Sequence, residues 1–159
     1  MAIVTGRFDG HRDRALDSIA AIDDAHDGPV QAIDARYLVG REHLTRAVEL
    51  AERERAAGDA IARDPAVEIL LYAAGRRQID RALEMGLDSE AHDVAVVAPE
   101  AAIETLRAAD WLDPGPVFEA IDRERVRSYF EISDSELAAT RGDLTDLVLE
   151  RVALLVVDR

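Results

Sequence analysis

The apolar run at residues 93–98 restricts the fold of this sequence more than any other stretch. It reads DVAVVA and has no polar side chain after its first residue, which is typical of a β-strand buried on both faces. Such a strand needs neighbouring strands and a cover of helices. Residues 2–8 and 29–36 are predicted to be further short strands. The sequence therefore predicts a small sheet enclosed by other elements.

Amphipathic segments in the rest of the chain predict about seven helices. In residues 41–57, apolar side chains recur at the i, i+3, i+4 and i+7 positions of one helical face. Further helices are expected at residues 10–26, after Pro99, at 117–131, from Ser133 and from Asp143. Residues 66–74 and 76–85 are expected to be two short helices in sequence or one helix bent at Gly75. Residues 153–157 are apolar throughout and fit either a helix or a strand.

No stretch of the chain has the length or composition of a linker. The longest loop-like segment, residues 110–116, is too short to separate two domains. We therefore expect residues 1–159 to form a single domain of the α+β class, a small mixed β-sheet packed with about seven helices.

The charge of the chain is strongly negative, and all of its basic residues are arginine. Asp and Glu number 33 against 19 basic residues, giving a formal net charge of −14. High salt makes such an excess tolerable because it screens like-charge repulsion, so we expect the cytoplasm of a halophile as the source. The alternative is an acidic protein from an ordinary cytoplasm. An acidic surface usually argues against nucleic-acid binding, but here the acidity can reflect the solvent.

The sequence lacks the motifs of the common catalytic and cofactor sites. It contains no cysteine, and its four histidines lack the spacing of a metal site. Dinucleotide, P-loop and nucleophile-elbow motifs are also missing. We therefore assign no catalytic residue, no metal ligand and no cofactor. Without a signal peptide or a long apolar run, the chain is expected to be cytoplasmic and not to bind membranes.

The most prominent polar cluster is Arg76, Arg77 and Gln78. It lies where a helix is expected to begin, so its hydrogen-bond donors and free backbone N–H groups could bind a phosphate. The alternative is that the two arginines are solvated or paired with Asp80 and Glu84. Arg36 and Tyr37, just after a predicted strand, are a second candidate of the same type, with the same alternative.

Residues 67–83 carry more apolar side chains than one inward-facing stripe requires. The surplus includes Leu71, Tyr72, Ile79 and Leu83. These residues either form a pair of core helices or provide a docking surface for another protein.

The segment Glu68–Gly86, EILLYAAGRRQIDRALEMG, resembles the signature stretch of a known family. That family is the Cgi family, which includes the animal PRPK-binding protein and consists of the small kinase-binding regulatory subunits of the KEOPS complex. Three weaker matches lie at Gly40–Leu44, Phe130–Ile132 and Glu150–Leu155, in the order in which they occur in the family's pattern. The resemblance extends from about residue 36 to the end of the chain. The chain departs from the family's pattern in having no lysine. Any positive charge near RNA must therefore come from arginine.

The resemblance implies a non-catalytic subunit of a tRNA-modifying complex. KEOPS transfers a threonylcarbamoyl group to the adenosine beside the anticodon. Its Cgi subunit binds the N-terminal lobe of the kinase/ATPase subunit and stimulates it, and archaeal relatives bind the 3′ CCA end of tRNA. The family fold is a small mixed sheet packed with helices.

The assignment of residues to these two partners is our own inference. For kinase binding we assign Leu71, Tyr72, Ile79 and Leu83. For RNA binding we assign Arg36, His43, Arg76, Arg77 and Gln78. No DNA partner is predicted.

Two other classes of function stay open from the sequence. One is a homo-oligomeric structural or interaction module whose apolar helices face a second copy. The other is an enzyme that acts on a phosphorylated small molecule near Arg76–Gln78, which is disfavoured because no nucleophile or base accompanies these residues.

Overall fold

The computed structural model describes residues 1–157, and they contain eight α-helices and four strands. In chain order these are β1 (Ala2–Phe8), α1 (Arg12–Ala25), β2 (Gln31–Asp34), α2 (Arg41–Ala56), α3 (Pro65–Ala74), α4 (Ile79–Ala82), β3 (His92–Ala98), α5 (Ile103–Arg107), β4 (Leu112–Pro114), α6 (Arg123–Tyr129), α7 (Asp134–Ala139) and α8 (Leu144–Val157). Single 3-10 turns lie at Ala35–Tyr37, Leu83–Met85 and Glu100–Ala102. The predicted α+β class is confirmed.

The strands form one sheet in the order β2-β3-β1-β4. Each strand pair in the described part of the chain is antiparallel, whereas a mixed sheet was expected. The apolar run of β3 is typical of a parallel strand buried on both faces; β3 is a central strand between β1 and β2 and is buried on both faces although its pairing is antiparallel. Its residues from Val94 to Ala98 are all fully buried.

The strand β4 lies in the segment that was expected to be a loop. It pairs with Gly6–Phe8 of β1. At Gly6 the strands approach so closely that a Cβ atom would lie 2.3 Å from the backbone oxygen of Asp113. Glycine is therefore the residue that permits this pairing.

The contacts of the chain group it into two compact units. The first, which we call the sheet unit, contains residues 1–35 and 86–119 and holds all four strands with α1 and α5. The second, which we call the helical unit, contains residues 36–85 and those from 120 onward, with the other six helices. The expectation of a single domain stays a prediction.

The core of the sheet unit lies on one face of the sheet. Alternate residues of β3, including Val94 and Val96, pack with Ile22 of α1, Leu106 of α5 and Trp111. This arrangement follows from the period of two in a strand, because every second side chain points to the same face.

The helical unit is built around α3, in which every residue from Glu68 to Ala74 is buried. The helix begins at an Asp64 cap whose side chain accepts a hydrogen bond from the Ala66 N–H. It ends at Gly75, which adopts a left-handed conformation with φ of 62°. The helix α8 continues to Val157, so residues 153–157 are helical. No helix within the described residues is long and apolar enough to cross a membrane.

Candidate functional site

The short helix α4 and the 3-10 turn that follows it each expose one large apolar side chain. Ile79 is 48% exposed and Leu83 is 56% exposed. Because Leu83 keeps a helical backbone conformation directly after α4, residues four apart are neighbours here, and these two side chains form one patch, which we call the α4 patch. On the opposite side, Ala82 and Met85 are fully buried in the helical unit. The helix is thus anchored by one face and presents the other to solvent.

The other two residues assigned to kinase binding lie elsewhere. Leu71 and Tyr72 belong to α3, and both are 0% exposed. Neither side chain can contact a partner while the helical unit stays folded. Their burial corrects the assignment of Leu71 and Tyr72 to a kinase-binding surface. Of the two alternatives for residues 67–83, α3 fits the core, and α4 with the turn after it forms the exposed patch.

Arg76 is committed to a contact within the helical unit. Its guanidinium donates a hydrogen bond to the backbone oxygen of Tyr129, and its Cζ lies 5.0 Å from the centre of the Tyr129 ring. The side chain is 19% exposed, and it also lies 3.9 Å from a carboxylate oxygen of Glu131. These contacts indicate that Arg76 holds the end of α6. Little of the Arg76 guanidinium is therefore available to RNA.

Arg77 and Gln78 are exposed, in keeping with a binding role. The helix after them begins at Ile79 and has only four residues. A helix of this length has a small dipole, so the anion site expected from a helix N-terminus is not supported by α4. Any contact with phosphate must come from the two side chains themselves.

His43 is buried and fully hydrogen-bonded. Its Nδ1 accepts from the Val39 N–H at 3.2 Å, and its Nε2 donates to the backbone oxygen of Ala73 at 2.7 Å. Burial lowers the pKa of His43 to about 4, although the hydrogen bond to Ala73 opposes the shift. The imidazole is therefore neutral at physiological pH and joins α2 to α3. This position corrects its assignment to an RNA surface.

Arg36 lies half-buried at the start of the helical unit, near an open polar cleft of about 550 Å³. The cleft is lined by Tyr37, Arg81, Glu84, Asp122, Glu124, Arg125, Ser128 and Tyr129. The guanidinium of Arg125 lies 5.3 Å from the centre of the Tyr37 ring. Aromatic rings and guanidinium groups of this kind can stack on unpaired bases.

The charges of this cleft are nearly balanced. Arg125 pairs with Asp122 at 3.3 Å, and Arg81 pairs with Glu84 at 3.6 Å. Burial alone would lower the pKa of Arg125, but hydrogen bonds to Tyr37 and Asp122 outweigh it and raise the pKa. Burial raises the pKa of Tyr129 to about 12. Both groups therefore keep their protons across the physiological range. Because both arginines are paired with carboxylates, the cleft suits stacking better than the binding of a free phosphate.

Glu68 is a structural residue that the sequence did not reveal. It is completely buried, and its carboxylate accepts hydrogen bonds from the backbone N–H groups of Ile61 and Ala62 at 2.9–3.0 Å. A buried carboxylate of this kind fixes the loop that precedes α3. The position of Glu68 in the EILLY stretch was the one available signal.

A group of exposed apolar side chains on a well-packed unit, such as the α4 patch, can serve as a contact surface for another protein. Comparison with models of known protein families shows which class of binding protein this is. The model of the kinase-binding protein family CGI-121 matches residues 15–155. The chain therefore belongs to the CGI-121 family of kinase-binding proteins. No curated protein matches the chain at a significant level.

Proposed function

We propose that this protein is the non-catalytic regulatory subunit of a KEOPS complex in the cytoplasm of a halophilic archaeon. In this role it binds the N-terminal lobe of the kinase/ATPase subunit and stimulates it. The observation that carries the proposal is the exposed α4 patch in a chain of the CGI-121 kinase-binding family.

The kinase contact is proposed to centre on Ile79 and Leu83. Both side chains keep about half of their surface exposed, and burial of a whole side chain of this type is worth roughly 1.5–3 kcal/mol. A charge placed in such an interface would be buried without a partner, which adds a desolvation cost. Two substitutions to glutamate should therefore weaken binding at least a hundredfold, or about 2.7 kcal/mol.

The experiment compares three forms of the protein for binding to the KEOPS kinase subunit in molar KCl. Wild type should form a complex in calorimetry and size-exclusion chromatography, and Ile79→Glu/Leu83→Glu should not. The matched control is Leu16→Glu, which changes an exposed leucine of the sheet unit. Circular dichroism verifies that each form is folded. Equal binding by all three forms would refute the α4 patch as the docking surface.

The same assay separates this proposal from a homo-oligomeric module. A module that pairs through α4 would have the mass of an oligomer without kinase and would become monomeric in the double variant. A regulatory subunit should change mass only when kinase is added.

The proposed tRNA contact uses the exposed Arg77 and Gln78 together with Arg36 beside the aromatic cleft. Because the net charge is −14, the contact must be local, and binding by the isolated subunit should be weak. Recognition should depend on the unpaired 3′ CCA end, since stacking needs splayed bases.

A titration with intact and CCA-trimmed tRNA tests this contact. Arg77→Ala/Gln78→Ala should lower the affinity for intact tRNA about tenfold, or ~1.4 kcal/mol, and leave kinase binding unchanged. Arg107→Ala, which removes an exposed arginine of the sheet unit, is the control and should bind as wild type does. Equal affinity for the two RNAs would reject recognition of the 3′ end.

A further inference from the structure

A buried histidine lies between two carboxylates in the sheet unit. His92 is the first residue of β3, Asp34 is the last residue of β2, and Asp88 lies in the loop before β3. The register pairs Asp34 with Val94. Because side chains alternate along a strand, Asp34 and His92 lie on the same face of the sheet. One possible ligand atom from each of the three side chains lies within 4.8 Å of the other two.

The surroundings of His92 determine which of its ring nitrogens can accept a cation. Nδ1 lies 2.7 Å from the backbone oxygen of Asp93. A carbonyl oxygen only accepts hydrogen bonds, so Nδ1 carries the hydrogen. The carboxylate of Asp34, 3.4 Å from the same nitrogen, is a second acceptor on this side. In the neutral ring the lone pair is therefore on Nε2.

The Nε2 atom is buried and has no hydrogen-bond partner. It faces a carboxylate oxygen of Asp88 at 3.6 Å, whereas a charge-assisted N–H···O bond is about 2.7–2.9 Å long. Two ligands of one tetrahedral ion, each about 2.1 Å from the metal, lie roughly 3.4 Å apart. The separation of these two atoms thus suits a shared metal ion better than a direct hydrogen bond.

We propose that His92 Nε2 and Asp88 bind a divalent transition-metal ion, with Asp34 orienting the imidazole from its Nδ1 side. A metal-bound histidine usually donates its other N–H to a carbonyl or a carboxylate, as His92 does here. A mixed set of imidazole and carboxylate suits Zn²⁺ or Co²⁺ better than Mg²⁺ or Ca²⁺, which prefer oxygen ligands. The Asp88 side chain is 47% exposed, so the ion has a path from solvent, and water completes its coordination.

The bound ion would connect β3 to the loop before it. Asp88 already caps this loop by accepting a hydrogen bond from the Glu90 N–H at 2.8 Å. Metal binding should therefore stabilise the sheet unit, because an ion that binds only the folded state raises the free energy of unfolding.

The test titrates Zn²⁺ into chelator-treated protein near neutral pH in molar KCl, by calorimetry and by thermal unfolding. Wild type should bind one Zn²⁺ per chain and melt at a higher temperature with the metal. An equal concentration of Mg²⁺ should not displace it. Asp88→Asn should weaken Zn²⁺ binding at least tenfold, and His92→Gln should abolish it.

The matched control is Asp93→Asn, which neutralises a carboxylate next to His92. Since neighbouring residues of a strand point to opposite faces, Asp93 points away from the cluster, and it pairs with Arg7 at 3.3 Å. This variant should bind Zn²⁺ as wild type does. Equal binding by wild type, Asp88→Asn and Asp93→Asn would refute the site and indicate only diffuse binding to acidic groups. If His92→Gln does not fold, the exposed position of Asp88 keeps Asp88→Asn decisive.

Discussion

Acid should destabilise this protein through the neutral, buried imidazole of His43. Burial holds the pKa of His43 at about 4 in the folded chain, against its ordinary value of 6.5 in the unfolded chain. Below pH 6.5 the unfolded state therefore gains a proton that the folded state does not accept. His43 has almost no effect on the free energy of unfolding well above pH 6.5, and this free energy falls as the pH drops through 6.5 towards 4.

The size of this effect follows from the two pKa values. Each unit by which the two pKa values differ corresponds to about 1.36 kcal/mol. The maximum loss in the free energy of unfolding is therefore on the order of 3 kcal/mol. About 2 kcal/mol of that loss falls between roughly pH 7.5 and pH 5, which is above the isoelectric point of about 4.6. A loss of this size is a large part of the stability of an ordinary domain.

The assay is urea denaturation in molar KCl, monitored by the circular dichroism of the helices at several pH values. His43→Gln provides the comparison, since glutamine can accept from Val39 and donate to Ala73 but does not titrate. The variant should lack about 2 kcal/mol of the acid-induced loss shown by wild type. His11→Gln, which removes an exposed histidine, should keep it. An equal loss in His43→Gln and wild type would refute the argument.

Glu68→Ala leaves the Ile61 and Ala62 N–H groups without their acceptor, so urea denaturation should show a free energy of unfolding lower by about 2–3 kcal/mol. Glu68→Gln, which keeps an acceptor oxygen, should show a smaller loss. Arg76→Ala should lower the free energy of unfolding by about 1.5–2 kcal/mol in the same measurement, because the hydrogen bond to Tyr129 and the contact with its ring are lost. The control Arg77→Ala, which changes an exposed side chain, should alter it by less than about 0.5 kcal/mol. The melting temperature should rise steeply from dilute buffer to molar KCl because salt screens the net charge of −14, and a constant value would contradict an adaptation to salt.

The strongly periodic elements could be predicted from the sequence. The strand β3 and the helix α2 have apolar patterns of the right period, and both occur where they were expected. The strand β4 was missed because it has only three residues and ends at a proline, so it shows no alternation. Its position depends on pairing with β1, which is a contact between residues far apart in sequence.

The site could be predicted only in part, and for a related reason. The buried residues Leu71 and Tyr72 of α3 and the exposed residues Ile79 and Leu83 of the α4 patch are all apolar, so pattern alone cannot separate core from surface. Packing of the helical unit makes that distinction.

Contacts that depend on the folded path of a loop or on strand pairing could not be predicted from sequence spacing either. Glu68 binds backbone groups of the preceding loop. Asp34 approaches His92 only because β2 pairs with β3. Neither arrangement follows a fixed interval in the sequence.

Hydrogen–deuterium exchange of the protein with and without the KEOPS kinase subunit tests the central claim most directly. If the α4 patch docks on the kinase, amides in residues 79–85 should exchange more slowly in the complex than in the free protein. Exchange in the sheet-unit helix α1, which carries the control residue Leu16, should stay the same. Protection confined to α1, or no protection anywhere despite complex formation, would contradict a kinase-binding surface formed by Ile79 and Leu83.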